Sequence, residues 1–312
     1  MYLMIYERHD EADDVISLSL GRADGADLPH WAPGAHVDVS FPNGMTRQYS
    51  LSSDPGDRRR WRLGILRAQN SRGGSEFAVD KLQSGDFVEV GEPRNNFALD
   101  PAPRYVFVAG GIGVTPILPM IAQAERAGAD WTLLYGGRTR ASMAFLDELA
   151  RHGERVTTAP QDETGLLDLA GLLATPDAGT LVYACGPEPM LDAIDAQMLG
   201  WPEGSLRVER FTPRTVESTG PDETFEVEFR TSGITAAVAP DQSILSVAQL
   251  AGIPAPFSCG EGTCGTCETP LLAGRADHRD SLLNDEEKED QNTMMICVSR
   301  AERGCPRIRI DL

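Results

Sequence analysis

The sequence predicts a multidomain protein: an antiparallel β-barrel, an α/β domain on a parallel sheet, and a smaller C-terminal α+β domain. Three observations carry this. The chain has 312 residues, whereas single domains usually run to about 100–150 residues. At Arg104 the texture changes from short strands broken by turn signals to strands alternating with helices. Further on, Thr212 to Glu223 lacks any apolar period and holds Pro213, Gly220 and Pro221 among charged residues, which reads as a linker. The expected boundaries are 1–100 for the barrel, 101–212 for the α/β domain, 213–223 for the linker and 224–312 for the last domain.

In the barrel segment, Ala35 to Phe41 and Trp61 to Arg67 read as strands, with Pro42-Asn43-Gly44 as a turn. In the α/β segment, Tyr105 to Ala109, Trp131 to Tyr135 and Leu181 to Ala184 read as strands. Ile117 to Ala127, Phe145 to Arg151 and Pro189 to Met198 read as helices between and after them. In the last segment Phe225 to Phe229 alternates apolar and acidic residues, and Ile244 to Ala251 looks helical.

Composition bounds the function. With 41% apolar and 24% charged residues the chain is an ordinary globular one. A formal net charge of -19 argues against nucleic acid or an anionic membrane surface as partner. Tyr105 to Ala124 is long and uncharged, but Gly110, Gly111, Gly113, Pro116 and Pro119 fit a strand, a turn and a helix start better than a bilayer span. Met1 to Tyr6 runs straight into Glu7, Arg8, His9 and Asp10, which does not fit a signal peptide, so a cytoplasmic location is expected.

Cys259, Cys264 and Cys267 are spaced Cys-x4-Cys-x2-Cys, and Cys297 lies 30 residues further on. That is the plant-type spacing for a [2Fe-2S] cluster, three thiolates from one loop and a fourth from a distant strand. Zinc usually calls for two Cys-x2-Cys knuckles, and only one is present. Disulfides would be out of place in a cytoplasmic chain. The intervening Gly260 to Thr266 are small or polar, apart from the ligands, and let backbone N–H groups point at sulfur. Cys185 and Cys305 stand outside this pattern, as a buried and an exposed thiol.

Gly110-Gly111-Ile112-Gly113-Val114-Thr115-Pro116 follows the apolar strand Val106 to Ala109 and opens a helix. Glycines there let the backbone approach a pyrophosphate at a helix N-terminus. Cys185-Gly186-Pro187-Glu188-Pro189-Met190 is placed the same way, at a strand end where a helix begins. Tyr135-Gly136-Gly137-Arg138 ends a third strand, where Arg138 would meet the adenosine half of a dinucleotide. No acid follows that strand to hold a ribose hydroxyl, so NADH and NADPH both remain open.

Arg47-Gln48-Tyr49-Ser50-Leu51 lies in the barrel, and Arg72-Gly73-Gly74-Ser75 precedes a helix-like run, Glu76 to Leu82. An Arg neutralises phosphate, a Tyr packs on a ring system, a Ser hydroxyl reaches a ring nitrogen, and a Gly-Gly-Ser turn at a helix start seats phosphate. With these motifs in this order the chain resembles the phthalate dioxygenase reductase family over nearly its whole length. The resemblance implies an FMN-binding barrel, an NADH-binding domain and a plant-type, β-grasp-like ferredoxin domain.

The resemblance also implies site residues. Arg47, Gln48, Tyr49 and Ser50, with Ile65 and Leu66 as backbone neighbours, would hold the flavin, and Gly73, Gly74 and Ser75 its phosphate. Gly110, Gly111, Gly113, Thr115, Pro116, Arg138, Cys185, Gly186 and Pro187 would hold the nicotinamide dinucleotide, and Phe211 would lie beside the flavin ring. Ser50 and Thr115 would stand where hydride passes to flavin N5, and the four cysteines would hold the cluster. FMN in place of FAD rests on the resemblance alone.

A nicotinamide gives two electrons and a [2Fe-2S] cluster takes one, so a flavin belongs between them. The expected function is a reductase component, monomeric, that delivers electrons to a Rieske-type terminal oxygenase or a cytochrome P450. The scattered histidines His9, His30, His36, His152 and His278 form no acid-base constellation and are expected to be surface or structural. Two rivals remain: a flavin enzyme reducing a small molecule or oxygen directly, and a non-catalytic iron-sulfur redox sensor.

Overall fold

A computed structural model describes residues 1–68, 73–214 and 220–312 of the chain. These fall into two units, Met1–Glu209 and Arg210–Leu312. Of the expected features, Arg72 and the middle of the linker, residues 215–219, lie outside the described residues.

The first unit begins with β1 (Tyr2–Ala12), β2 (Val15–Gly21), β3 (Ala35–Ser40), β4 (Thr46–Ser50), β5 (Trp61–Leu66), α1 (Gly74–Lys81), β6 (Phe87–Val90) and β7 (Arg94–Asn95). The strands run β4-β3-β6-β1-β2-β5 with β7 also on β3, and every pairing is antiparallel. Leu51, just past β4, bridges to Leu63 of β5, so the two ends of the sheet meet and curl it into a barrel. Leu3, Ile5, Val37, Leu63, Ile65 and Val90 fill its interior. The expected turn at Pro42-Asn43-Gly44 joins β3 to β4, with Gly44 at φ 80°, a conformation that glycine adopts without strain.

The parallel sheet follows: β8 (Arg104–Gly110), α2 (Val114–Ala127), β9 (Asp130–Gly137), α3 (Leu146–Leu149), β10 (Val156–Pro160), α4 (Gln161–Thr164), α5 (Leu169–Leu172), β11 (Thr180–Cys185), α6 (Glu188–Gln197) and β12 (Leu206–Glu209). Their order is β10-β9-β8-β11-β12, all parallel. α2 is buried on all sides from Val114 to Ile121, and only in its last turns, after Ala124, does it turn charged residues to solvent. Gly128 ends it at φ 68°, its N–H reaching Ala124 O and Glu125 O.

Two expectations differ in detail. α2 begins at Val114 and not at Ile117, because a 3-10 turn over Gly111–Gly113 leads directly into it. The helix expected from Phe145 to Arg151 is α only over Leu146–Leu149; a 3-10 stretch follows, broken at Gly153, where φ is 59°. The long uncharged run from Tyr105 is β8, the glycine turn and the start of α2, and among the described residues no helix is long and apolar enough to cross a membrane.

The barrel and the parallel sheet pack as one unit for a visible reason. Val15 and Phe97 of the barrel segment belong to the same buried cluster as Phe107, Val114 and Trp131. Arg62 of β5 also pairs with Glu148 of α3 at 2.7 Å. At Gly64 an added Cβ would stand 2.6 Å from Thr115 Cγ2, so only glycine lets β5 meet the start of α2 this closely.

The second unit holds β13 (Phe225–Phe229), β14 (Ile234–Val238), α7 (Ile244–Leu250), β15 (Glu268–Ala273), β16 (Ala276–Asp277), α8 (Asp285–Asp290), β17 (Thr293–Met295), β18 (Arg300–Ala301) and β19 (Arg307–Ile310). The main sheet runs β14-β13-β19-β15-β17, with β13 and β19 parallel; β16 and β18 form a separate ribbon. The alternation read in Phe225 to Phe229 is literal: Phe225, Val227 and Phe229 are buried and Glu226 is exposed. The end of the linker is tied to this unit. Asp222 accepts both Nη groups of Arg279, at 2.5 and 3.0 Å, and lies 3.6 Å from Nε of the buried Arg300.

Candidate functional site

The parallel sheet reverses its strand order around β8, and ligands of such sheets bind at the carboxyl edge of that point. The two glycine loops predicted to hold a dinucleotide are interlocked there. A Cβ on Gly110 would meet Pro187 and Met190, one on Gly186 would stand 3.0 Å from Gly110 Cα, and one on Gly113 would run into the Cys185 carbonyl. Side chains at these three positions would push the loops apart. Gly111, at φ 54°, has open space around its Cα and leaves its peptide accessible. Thr115 and Pro116 are buried in the first turn of α2, with Thr115 Oγ1 donating to Ile112 O at 2.9 Å. Pro187 caps α6.

The barrel motif forms a cradle. Arg47 lies along the N-terminus of α1, so that a Cβ on Gly74 would stand 2.7 Å from Arg47 Cγ. Gly73 sits at φ 98°, and Ser75 Oγ accepts from Ala68 N at 3.1 Å. Arg47 Nη1 donates to Thr46 O, while its buried Nη2 has no hydrogen-bond partner among the described residues. Two further atoms of β4 share that state, Tyr49 Oη and Ser50 Oγ. Burial raises the Tyr49 phenol above its usual pKa, with Arg47 opposing. Native proteins rarely leave buried polar atoms unpaired, so three on one strand suit an anionic, polar ligand. Gln48 differs: its Nε2 already donates to Asp38 Oδ1 at 3.0 Å. Ile65 is fully buried in β5 and Leu66 partly so.

Ser50 faces a group to which the sequence reading gave no task. Glu209 ends β12 on the same carboxyl edge, and its Oε2 is 4.0 Å from Cys185 Sγ. Dense packing around a carboxyl that keeps some surface exposure raises its pKa to about 8, while the Ser50 hydroxyl pulls it down without a well-formed hydrogen bond. Burial, with Glu209 adding to it, raises the Cys185 thiol well above its normal value. The available signal was positional: an acid closing a strand at the edge where Cys185 closes its neighbour.

At the other end of the edge, Arg138 is exposed after β9. Glu163 of α4 takes Arg140 at 2.8 and 3.1 Å, and Asp162 N donates to Arg138 O at 3.2 Å.

In the second unit the four cysteines converge. Hydrogen bonds from Cys264 and Cys297, helped by the N–H groups of Glu261 and Thr263, hold the Cys259 thiol far below its usual pKa; a contact with Cys297 lowers Cys267 likewise. Cys264, Cys267 and Cys297 are buried and Cys259 is partly exposed. Glu261 N donates to Cys259 Sγ at 3.3 Å and Thr266 N to Cys264 Sγ at 3.4 Å, while the Cys264 thiol donates to Thr266 Oγ1 at 3.2 Å. Four converging thiols, with backbone N–H groups already donating to Cys259 and Cys264, fit the ligand set of a [2Fe-2S] cluster. Cys305 lies apart, its thiol donating to Arg307 O. Phe211, at the start of this unit, is 42% exposed.

Comparison with known proteins agrees with this geometry. A model of the 2Fe-2S iron-sulfur cluster binding domain matches residues 227–302. A model of the N-terminal domain of dimethylamine monooxygenase subunit DmmA-like proteins matches residues 94–203. The phenoxybenzoate dioxygenase subunit beta of Ectopseudomonas oleovorans is 43% identical over 96% of this chain and 94% of its own. The solved structure of phthalate dioxygenase reductase, described as a modular structure for electron transfer from pyridine nucleotides to [2Fe-2S], superposes with a TM-score of 0.73 at 36% identity, over 100% of this chain and 98% of that one. The chain belongs to the phthalate dioxygenase reductase family. Members of that family bind FMN, NADH and a [2Fe-2S] cluster, and this chain is a nicotinamide-dependent flavin and iron-sulfur oxidoreductase. An intact type IV self-sufficient cytochrome P450 monooxygenase contains the same fold, at 43% identity and a TM-score of 0.91. This chain covers 41% of that longer one.

Proposed function

We propose that this family member feeds electrons to a Rieske-type oxygenase, with residues assigned as follows. Arg47 and the turn Gly73-Gly74-Ser75 hold the FMN phosphate, Tyr49 packs on the ring system, and the backbones of Gln48, Ile65 and Leu66 border it. Ser50 and Thr115 stand where the nicotinamide and the flavin ring meet, and Phe211 covers the ring. Gly110 to Pro116 and Cys185 to Pro187 seat the pyrophosphate and nicotinamide, and Arg138 the adenosine half. Bound FMN supplies the conversion of a two-electron donor into one-electron deliveries. Cys259, Cys264, Cys267 and Cys297 hold the cluster. As domains we assign 1–100 to flavin, 101–212 to nicotinamide, 213–223 to the linker and 224–312 to the cluster.

One observation carries the reading: Arg47 Nη2, Tyr49 Oη and Ser50 Oγ are buried along a single strand with no well-formed hydrogen bond among the described residues, next to the Gly73-Gly74 turn. A cytochrome P450 is the second acceptor class, supported by the monooxygenase that contains this fold. The purified protein should show flavin and iron-sulfur absorption together, both bleaching under NADH without oxygen. A protein with flavin but no iron-sulfur band, or with bands that NADH leaves unchanged, contradicts the proposal.

A further inference from the structure

The second unit contains a buried ionisable pair to which electron transfer gives no task. His278 follows β16 and Asp280 lies two residues on; their side chains are 4% and 0% exposed, with Nδ1 3.8 Å from Oδ2. Neither ring nitrogen of His278, nor Asp280 Oδ2, has a hydrogen-bond partner among the described residues. Buried polar atoms are normally paired, so three in one place stand out. The rest of Asp280 is committed to structure. Its Oδ1 accepts from Leu282 N and Leu283 N at 3.0 and 2.8 Å, and its carbonyl from Lys288 Nζ at 3.4 Å.

The pair lies between the cluster loop and water. Gly262, midway along the cysteine loop, rests on Asp280: an added Cβ would stand 3.1 Å from Asp280 Cα, and Ser281 N donates to Gly262 O at 2.9 Å. On its other side His278 borders a solvent-open cavity of about 360 Å³. The charged groups facing the ring there are Arg275, Asp277 and Lys288, with Asp285, Glu289 and Glu302 further round the wall. Burial lowers the His278 pKa below its normal value; Asp280 and Asp277 pull it up, and Lys288 and Arg275 push it down.

We propose that His278 takes up one proton from this cavity when an electron enters the cysteine-held cluster, and releases it when the electron leaves. The electron comes from the nicotinamide through the flavin and the proton from hydronium in the cavity, whose O–H bond breaks as the imidazole N–H forms; release reverses both. Negative charge arriving behind Asp280 favours the charged imidazole. By reciprocity, a protonated His278 makes the cluster easier to reduce. Asp280 is a positioning residue, holding a negative charge beside the ring and a backbone against the loop.

The inference rests on the [2Fe-2S] reading, and its test separates the two. The cluster midpoint of the full-length protein is measured by redox titration from pH 5 to 8.5. In the unaltered protein the midpoint should fall as pH rises, across a window opening at the lowered pKa of His278 without the electron and closing at its higher pKa with it. The slope is bounded by a tenfold change in equilibrium per pH unit, about 59 mV for one electron. His278→Gln should give a level midpoint. Asp280→Asn, which keeps Oδ1 for the two N–H groups, should move the window to lower pH. A level midpoint in the unaltered protein, or an unchanged slope in His278→Gln, overturns the proposal. Should His278→Gln fail to assemble a cluster, Asp280→Asn decides, and an unmoved window overturns it. Absence of any cluster signal from the unaltered protein would refute the iron-sulfur reading itself.

Discussion

Replacing Arg47 with Ala tests the flavin cradle at its most exposed assumption, that a phosphate sits between Arg47 and the Gly73-Gly74 turn. The protein loses little by itself, because the guanidinium makes one hydrogen bond, to Thr46 O, and its Nη2 makes none among the described residues. With phosphate present, the lost contact is a charge-assisted hydrogen bond, worth about 1.5–3 kcal/mol. At about 1.4 kcal/mol per decade, FMN should bind roughly ten- to a hundredfold more weakly. The assay is flavin fluorescence titrated with apoprotein, using FMN and riboflavin in parallel. Arg47→Ala should weaken FMN and leave riboflavin, which lacks the phosphate, nearly unchanged, so that the preference for FMN collapses. Equal weakening of both flavins, or unchanged FMN affinity, would refute the placement.

Three further outcomes follow from the same geometry. Cys264→Ser should lose the iron-sulfur bands while keeping flavin, since ligands and cradle lie in different units; full cluster absorbance in the variant contradicts the ligand set. Gly113→Ala should raise the KM for NADH in ferricyanide reduction without releasing flavin, because its methyl meets the Cys185 carbonyl and separates the two loops; an unchanged KM counts against the loops. Glu209, with a folded-state pKa raised to about 8 mainly by burial, binds its proton more tightly folded than unfolded. Its contribution to stability is therefore full below the usual Glu pKa of about 4.3 and is lost as pH rises towards the folded value. Urea unfolding at pH 5, 7 and 9, followed through flavin release, should show a fall that Glu209→Gln reduces; identical pH profiles contradict this.

Much of the architecture was legible because its signals are local. Cysteine spacing, the glycine turn after an apolar strand, and the alternation in Phe225 to Phe229 each depend on a few neighbouring residues. The misses are long-range. Phe145 to Arg151 has helical composition, but Gly153 at a positive φ and the packing of Phe145 on β5 cut the helix short. The Arg140–Glu163 pair joins residues 23 apart in sequence, and only the pairing of β10 with β9 brings them together. Glu209 gained its chemistry from burial that no spacing announces, and His278 proved to be enclosed beside Asp280 behind the cluster loop. The union of barrel and parallel sheet in one unit depends on contacts such as Gly64 with Thr115, which join residues 51 apart in sequence.

The central claim is that electrons enter at the nicotinamide loops and leave through the cysteine-held cluster. It is tested most directly by comparing the full chain with residues 1–214, which keep the whole first unit and omit the cysteine loop. Both should oxidise NADH with ferricyanide at similar rates, and only the full chain should reduce cytochrome c. If residues 1–214 reduce cytochrome c as fast as the full chain, electrons leave from the flavin and the account is wrong.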